Sequence, residues 1–70
     1  MQSHITAVSG RESELLKAVE SIDRMKARGR IADWKQADAR TLHIILKLDT
    51  SAQRRREIVS ELKVLGCEIL

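Results

Sequence analysis

The spacing of hydrophobic residues changes from every second position to every third or fourth within the segment 41–66. In its first part alternate residues are apolar, which predicts a β-strand over Thr41 to Leu48 with one side packed on a core. The apolar positions of that strand are Leu42, Ile44, Leu46 and Leu48. Because Ile45 adds an aliphatic residue to the otherwise mixed side, we expect this strand at the centre of a sheet rather than at an edge.

A helix is predicted directly after this strand. Thr50 and Gln53 have the spacing of a capping box, in which the hydroxyl accepts from a backbone N–H and the glutamine side chain returns the bond. The apolar stripe of the predicted helix consists of Ile58, Val59, Leu62 and Leu65. Gly66 can take up the left-handed conformation that ends helices, and Cys67 to Leu70 then predict a short last strand.

The N-terminal half repeats this arrangement. Ser3 to Val8 alternate loosely and predict a strand, Ser9 and Glu12 have the spacing of a second capping box, and Gly29 ends the helix that follows. The apolar stripe of that helix consists of Leu15, Ala18, Val19, Ile22 and Met25. Arg30 to Gln36 predict a weaker edge strand, joined as a hairpin to the strand that begins at Thr41.

Both halves therefore contain a strand, a helix, a glycine and a strand, so the predicted order is βαββαβ. With right-handed crossovers, two such halves interleave into a four-stranded antiparallel sheet with both helices on one face, which is the ferredoxin-like α+β fold. The strand over Thr41 to Leu48 is then central. The competing interpretation is a helical or winged-helix bundle in which Thr41 to Leu48 is helical.

Length and composition predict one small domain over residues 1–70. A chain of this size buries only about 60% of the surface that its unfolded form exposes, so binding to a second copy, a parent chain or a partner protein would add stability. Thirteen Lys and Arg against ten Asp and Glu give a net charge of +3, which is too mild to indicate nucleic-acid binding by itself. Trp34 is the only aromatic residue, so we expect an aliphatic core.

The sequence also indicates the cellular compartment in which the protein is expected. Cys67 is the only cysteine, so no intramolecular disulfide can form, which is typical of a reducing compartment. The sequence has neither a signal peptide nor an apolar run of spanning length. We therefore expect a cytoplasmic protein that does not insert into membranes.

Residues that could carry chemistry are few. His4, His43 and Cys67 are the only soft metal ligands and the only nucleophile or base candidates, and they do not have metal-ligand spacing. Heavy-metal chaperones of the predicted topology need a CxxC at the first turn, whereas this chain has a single cysteine. RNA-binding domains of this topology stack bases on several sheet aromatics, whereas this chain has a single aromatic residue. A domain of this size also offers little cleft for paired carboxylates. We expect no metal site, no cofactor and no enzymatic activity.

The first strand-to-helix turn, formed by Val8, Ser9, Gly10 and Arg11, gives the chain a resemblance to a known family. With that glycine and the order βαββαβ at this length, the whole chain resembles, in pattern, the ACT-like regulatory domains. The resemblance implies a non-catalytic module that pairs through sheet edges or helices and, in many members, binds a small ligand such as an amino acid near this turn. It thereby implies Ser9, Gly10 and Arg11 as ligand-binding residues.

Three consecutive arginines, Arg54, Arg55 and Arg56, begin the second predicted helix, where the helix dipole favours anions instead. Arg55 falls within the arc of the apolar stripe. Either its stem packs over the sheet edge while the guanidinium reaches solvent or pairs with Asp49 or another carboxylate, or Arg55 has a function. The functional interpretation is that Arg54 and Arg55 bind an anion or a partner's carboxylate.

Two further features are candidate partner-binding surfaces. A basic helical face is predicted from Lys17, Arg24, Arg28 and Lys63, joined by Arg56, but interspersed acidic residues are also typical of an ordinary solvated surface. Trp34 in the edge strand is either an anchor for a partner or a residue that closes the open end of the core.

Two functional hypotheses follow. The first is a non-catalytic regulatory or protein-interaction domain, ACT-like in form, that associates as a homodimer through a sheet edge or the helical face and binds a small ligand. The alternative is a small basic protein that binds nucleic acid or an anionic partner through Arg54 to Arg56 and the basic face of the first helix.

Overall fold

A computed structural model describes residues 3–70. The elements follow in the order β1 (His4–Ser9), α1 (Glu12–Ala27), β2 (Asp33–Gln36), β3 (Thr41–Ile45), α2 (Ala52–Val64) and β4 (Cys67–Ile69). The strands form one antiparallel sheet in the order β2-β3-β1-β4, so that β1 and β3 are central. This confirms the predicted ferredoxin-like fold, and the strand conformation of β3 contradicts the competing helical interpretation.

The core lies between the sheet and the two helices. β1 and β3 pair from His4 and Ile45 at one end to Val8 and Thr41 at the other, and in both strands every second residue is buried. The buried hydrophobic residues are Ile5, Ala7, Leu15, Ala18, Ile22, Met25, Ile31, Leu42, Ile44, Leu46, Ile58, Leu62 and Cys67. They form one cluster without an aromatic ring, which confirms the expected aliphatic core. Because alternate residues of a strand point to opposite faces, the other face of the sheet carries the residues between the buried ones, which are both polar and aliphatic.

Both helices end at the predicted glycines. Gly29 has φ +73° and Gly66 has φ +91°, a region that side chains with a Cβ rarely adopt. At the end of α1, the Arg30 N–H donates to the Met25 carbonyl at 2.8 Å and the Gly29 N–H donates to the Lys26 carbonyl at 3.0 Å. This pair of bonds is a Schellman motif, so the chain leaves α1 in one defined direction.

Both predicted capping boxes are wrong. The N-cap of α1 is Arg11, which makes no side-chain cap bond, and the hydroxyl of Ser9 instead donates to the carbonyls of Arg11 and Arg40. In α2 the N-cap is Ser51 rather than Thr50, since Ser51 Oγ accepts from the Arg54 N–H at 3.0 Å. A tight turn, in which the Thr50 N–H donates to the Lys47 carbonyl at 3.1 Å, delays the start of α2 by one residue.

The same turn shortens the predicted strand over Thr41 to Leu48. β3 ends at Ile45, Leu46 is still buried, and Leu48 lies in the turn with 72% of its surface exposed. Leu48 is therefore not a core residue, contrary to its position in the alternating pattern. β2 is also shorter than predicted, because Arg30 to Ala32 lead into it without strand structure, although Ile31 is buried.

Candidate functional site

The end of α1 and the start of α2 meet beside one end of the sheet. β1 and β3 are antiparallel, and each is followed by a helix that returns across the same face, so α1 and α2 run in opposite directions. Between them lies a cleft of about 380 Å³, hereafter the basic cleft, lined by Arg28, Gly29, Arg30, Lys47, Asp49, Thr50, Ser51 and Arg54. Of the residues predicted as functional, the fold brings Arg28 and Arg54 together here, and it adds two cations that the sequence analysis missed, Arg30 and Lys47.

Backbone hydrogen bonds fix the main-chain position of each cationic residue in the basic cleft. Arg28 and Arg30 flank Gly29 within the Schellman motif, and Lys47 is the first residue of the turn that closes on Thr50. Arg54 is the residue whose N–H the N-cap Ser51 accepts. The four Cα positions are thus set by local structure, whereas the charged ends of the side chains face the cleft and solvent.

Lys47 reaches across the basic cleft from the β3–α2 turn to the end of α1. A Cβ atom built on Gly29 would lie 3.2 Å from Lys47 Nζ, so the ammonium group packs close to the Gly29 backbone. The last turn of a helix carries partial negative charge, which favours a cation at that place. Gly29 is therefore favoured by its positive φ, and the absence of a Cβ also leaves room for the Lys47 ammonium group.

Charges in the basic cleft are poorly balanced. Four cationic side chains line it against one carboxylate, that of Asp49, and the first turn of α2 contains no acidic residue. Within residues 3–70 the ion pairs are Lys26 with Asp33 at 3.0 Å and Arg54 with Glu57 at 3.8 Å. Arg28, Arg30 and Lys47 therefore have no ion-pair partner in the part of the chain that the structure describes.

The remaining predicted basic residues do not join this cleft. Arg55, Arg56 and Lys63 line a separate shallow groove on the outer side of α2 together with Val59 and Ser60, and Lys17 and Arg24 are exposed on α1. Arg55 is exposed, and within residues 3–70 it forms no ion pair with Asp49 or with another carboxylate. Arg55 is therefore not buried with the apolar stripe of α2: it lies at the edge of the stripe and is exposed.

The turn that carries the predicted ligand-binding residues Ser9, Gly10 and Arg11 is bonded within the protein. Ser9 is buried, its hydroxyl donates to the Arg11 carbonyl at 2.9 Å, and its N–H donates to the Arg40 carbonyl at 2.8 Å. Arg40 Nη1 in turn donates to the Gly10 carbonyl at 3.3 Å. Through these hydrogen bonds Ser9 stabilises the turn, whereas Gly10 and Arg11 are exposed. Ligand binding by the three residues stays a prediction.

The second candidate surface is the side of the sheet that no helix covers, hereafter the open face. Its central residues are Thr6, Val8, Thr41, His43 and Ile45, all half-buried. Thr6 Oγ1 and His43 Nδ1 are 3.4 Å apart across the two central strands. A shallow cavity of about 290 Å³ at one end is lined by Ser3, His4, Lys35, His43 and Ile45.

The two edges of the open face carry opposite charges and an exposed leucine. Lys35 lies on β2 opposite His43, and Glu68 lies on β4 opposite Val8. Leu70 follows β4, donates its N–H to the Thr6 carbonyl at 3.0 Å, and is 78% exposed. The two central strands of the open face thus carry half-buried aliphatic and polar side chains, and the borders of the face are charged.

Trp34 lies on the opposite side of β2 from Lys35. It is paired with the buried Ile44, is itself half-buried, and packs against the core cluster. Its N–H donates to Asp33 Oδ1 at 2.8 Å, and the same carboxylate oxygen accepts from Lys26 Nζ at 3.0 Å. The side chain therefore helps to close the core at the β2 edge, and its role in partner binding stays a prediction.

The described residues contain little that points to covalent or metal chemistry. No cluster of three His, Cys, Asp or Glu side chains within residues 3–70 has the geometry to hold a metal ion. Cys67 is a free, buried thiol, and burial followed by the nearby Glu14 carboxylate raises its pKa, so it is a poor nucleophile. Neither α1 nor α2 has the length and apolarity to cross a bilayer.

Comparisons of the chain with protein-family models, with curated proteins and with solved structures found no match.

Proposed function

We propose that the chain is a non-catalytic protein-interaction domain that self-associates by packing the open faces of two copies against each other. The observation that carries the proposal is that three aliphatic side chains, Val8, Ile45 and Leu70, lie on the side of the sheet away from the helices and are not buried there. Two sheets that pack face to face bury such residues in a layer about 10 Å thick.

The sheet edges are less suited to pairing than the open face, although edge pairing is an expectation from the sequence. At β2, the Trp34 N–H is occupied by the Asp33 carboxylate, and Lys35 and the Lys26–Asp33 ion pair add charge. β4 has only three residues. Charges and short strands are the usual features that prevent edge-to-edge pairing, so the two edges resemble protected edges.

Charge complementarity favours a second copy of the chain as the occupant of the open face. A two-fold axis parallel to the strands places β2 of one copy above β4 of the other, so that the border with Lys35 faces the border with Glu68 on both sides. Three inter-strand spacings of about 4.8 Å separate β2 from β4 by about 14 Å, so the charged borders flank the two central strands.

The open face is small, so the association is weak and reversible. A stable interface covers about 800 Å² on each partner, which four short strands with half-buried central residues do not supply. Concentration-dependent sedimentation of the wild-type chain and of Ile45→Asp tests the proposal. A wild-type chain that stays monomeric at all concentrations contradicts it.

A further inference from the structure

The basic cleft is separate from the open face, and the proposed self-association makes no use of it. We propose that it binds a small phosphorylated anion with at least two negative charges. Arg28, Arg30, Lys47 and Arg54 converge on one concave volume that has a single carboxylate, Asp49. Such an excess of like charge around a cavity costs free energy in the empty protein, and a multivalent anion relieves that cost.

The types of cation favour a phosphate group over a single carboxylate. Three of the four are arginines, whose guanidinium groups donate in pairs to phosphate oxygens, and the fourth is a lysine that acts as a point charge. Thr50 and Ser51 add short hydroxyl side chains to the lining. The volume of about 380 Å³ is near the lower limit for ligand pockets, which suits one or two phosphate groups rather than a large ligand.

Local structure holds the site in place before a ligand arrives. The Schellman motif orients Arg28 and Arg30, the turn from Lys47 to Thr50 orients Lys47, and the Ser51 cap orients Arg54. The ion pair that Arg54 makes with Glu57, which lies outside the cleft, is long at 3.8 Å and about half-exposed, so Arg54 can turn to a phosphate at small cost. Only the side-chain ends need to order on binding.

Pyrophosphate is a suitable probe, added to the full chain at constant ionic strength and followed by amide chemical shifts. We expect saturable shifts confined to the amides of residues 28–30 and 47–54. Arg30→Gln and Lys47→Gln should each weaken binding about tenfold, because each removes a charge-assisted hydrogen bond. Arg56→Gln is the matched control, since it removes the same charge from an exposed position of α2 outside the cleft, and it should change affinity less than about twofold.

Asp49→Asn gives a test that does not depend on loss of binding. Removing the only carboxylate of the cleft should tighten pyrophosphate binding by about threefold. Ile45→Asp should keep normal binding, so failure of the self-association leaves this inference intact.

Three results would overturn the inference. They are non-saturable shifts, an equal loss in Arg56→Gln and Arg30→Gln, or a single-stranded oligonucleotide that binds more tightly than pyrophosphate with shifts spread over α1 and α2. The last result would indicate a diffuse phosphate-backbone surface instead of a cleft.

Discussion

Thr6 and His43 face each other across the two central strands, with 3.4 Å between Thr6 Oγ1 and His43 Nδ1. The pair lies on the open face between the aliphatic side chains of Val8 and Ile45. Because both polar side chains are half-buried and within hydrogen-bond reach of each other, Thr6 Oγ1 and His43 Nδ1 keep a partner when the middle of the open face loses water. A face built in this way tolerates solvent in the monomer and contact in a dimer.

Charge reversal tests the orientation of the proposed dimer. Lys35→Glu places a carboxylate on the border that faces Glu68 of the second copy and should weaken association at least about fivefold, because both pairs of facing borders lose their opposite charges. The double variant Lys35→Glu with Glu68→Lys restores the complementary pair and should recover most of the affinity. Dimer dissociation constants from sedimentation equilibrium provide the comparison. A double variant that is no better than Lys35→Glu would contradict the proposed two-fold axis.

The N-cap of α2 can be tested with two adjacent substitutions. Ser51→Ala removes the acceptor of the Arg54 N–H and should lower the free energy of unfolding by about 1 kcal/mol. Thr50→Ala, one residue earlier, should cost less than about 0.5 kcal/mol, because Thr50 does not cap the helix. Urea unfolding followed by circular dichroism measures both. The reverse order of the two effects would favour the capping box that the sequence predicts.

Two glycines should respond in opposite directions to alanine. Gly29→Ala forces a Cβ into a positive-φ position beside Lys47 Nζ and should destabilise the fold by about 1–2 kcal/mol. Gly10 has no such φ, and a Cβ there would meet only Glu14 Oε2 at an ordinary 3.4 Å. Gly10→Ala should therefore be neutral or slightly stabilising, because alanine lowers the entropy of the unfolded chain. Thermal unfolding measures the stability change in both variants. Equal destabilisation would contradict the backbone conformation described for Gly10 in the β1–α1 turn.

Two carboxylates make the stability depend on acid pH. The pKa of Asp33 is lowered by the hydrogen bond from Lys26 and then by the Trp34 N–H, and the pKa of Asp38 is lowered chiefly by the Arg40 N–H. A pKa that is lower in the folded chain contributes stability above the ordinary aspartate pKa of about 3.9, and the contribution is lost as the pH falls through the folded-state value. The double variant Asp33→Asn with Asp38→Asn should lose less stability than the wild type between about pH 5 and pH 2. Parallel losses in urea unfolding experiments would show that other groups dominate.

Local patterns in the sequence predict most of this fold. Period-two spacing marks β3, helical spacing marks Ile58 and Leu62 as buried, and Gly29 and Gly66 mark both helix ends. These predictions succeed because each depends on residues close together in the chain. The choice of Ser51 over Thr50 as N-cap, by contrast, depends on where the preceding turn closes, and the same turn exposes Leu48.

The basic cleft shows a different limit. Arg54 is a candidate from its position in the sequence alone, but its association with Arg30 and Lys47 depends on the end of α1 meeting the start of α2. The predicted order βαββαβ already implies antiparallel helices, so the topology is the signal that could have brought these residues together. The alternating pattern also does not predict whether the open face self-associates. It identifies the buried side of each strand and not what binds to the other side.

Self-association through the open face is tested by sedimentation velocity of the wild type, Ile45→Asp and Leu48→Asp from about 10 µM to 1 mM. Ile45 lies on the open face at the end of the central strand β3, whereas Leu48 is an exposed leucine in the β3–α2 turn, so the pair separates position from loss of apolar surface. We expect a dimer that grows with concentration for the wild type and Leu48→Asp, and a monomer throughout for Ile45→Asp with unchanged circular dichroism. A monomeric wild type at 1 mM, or equal dimerisation of all three proteins, would contradict self-association through the open face.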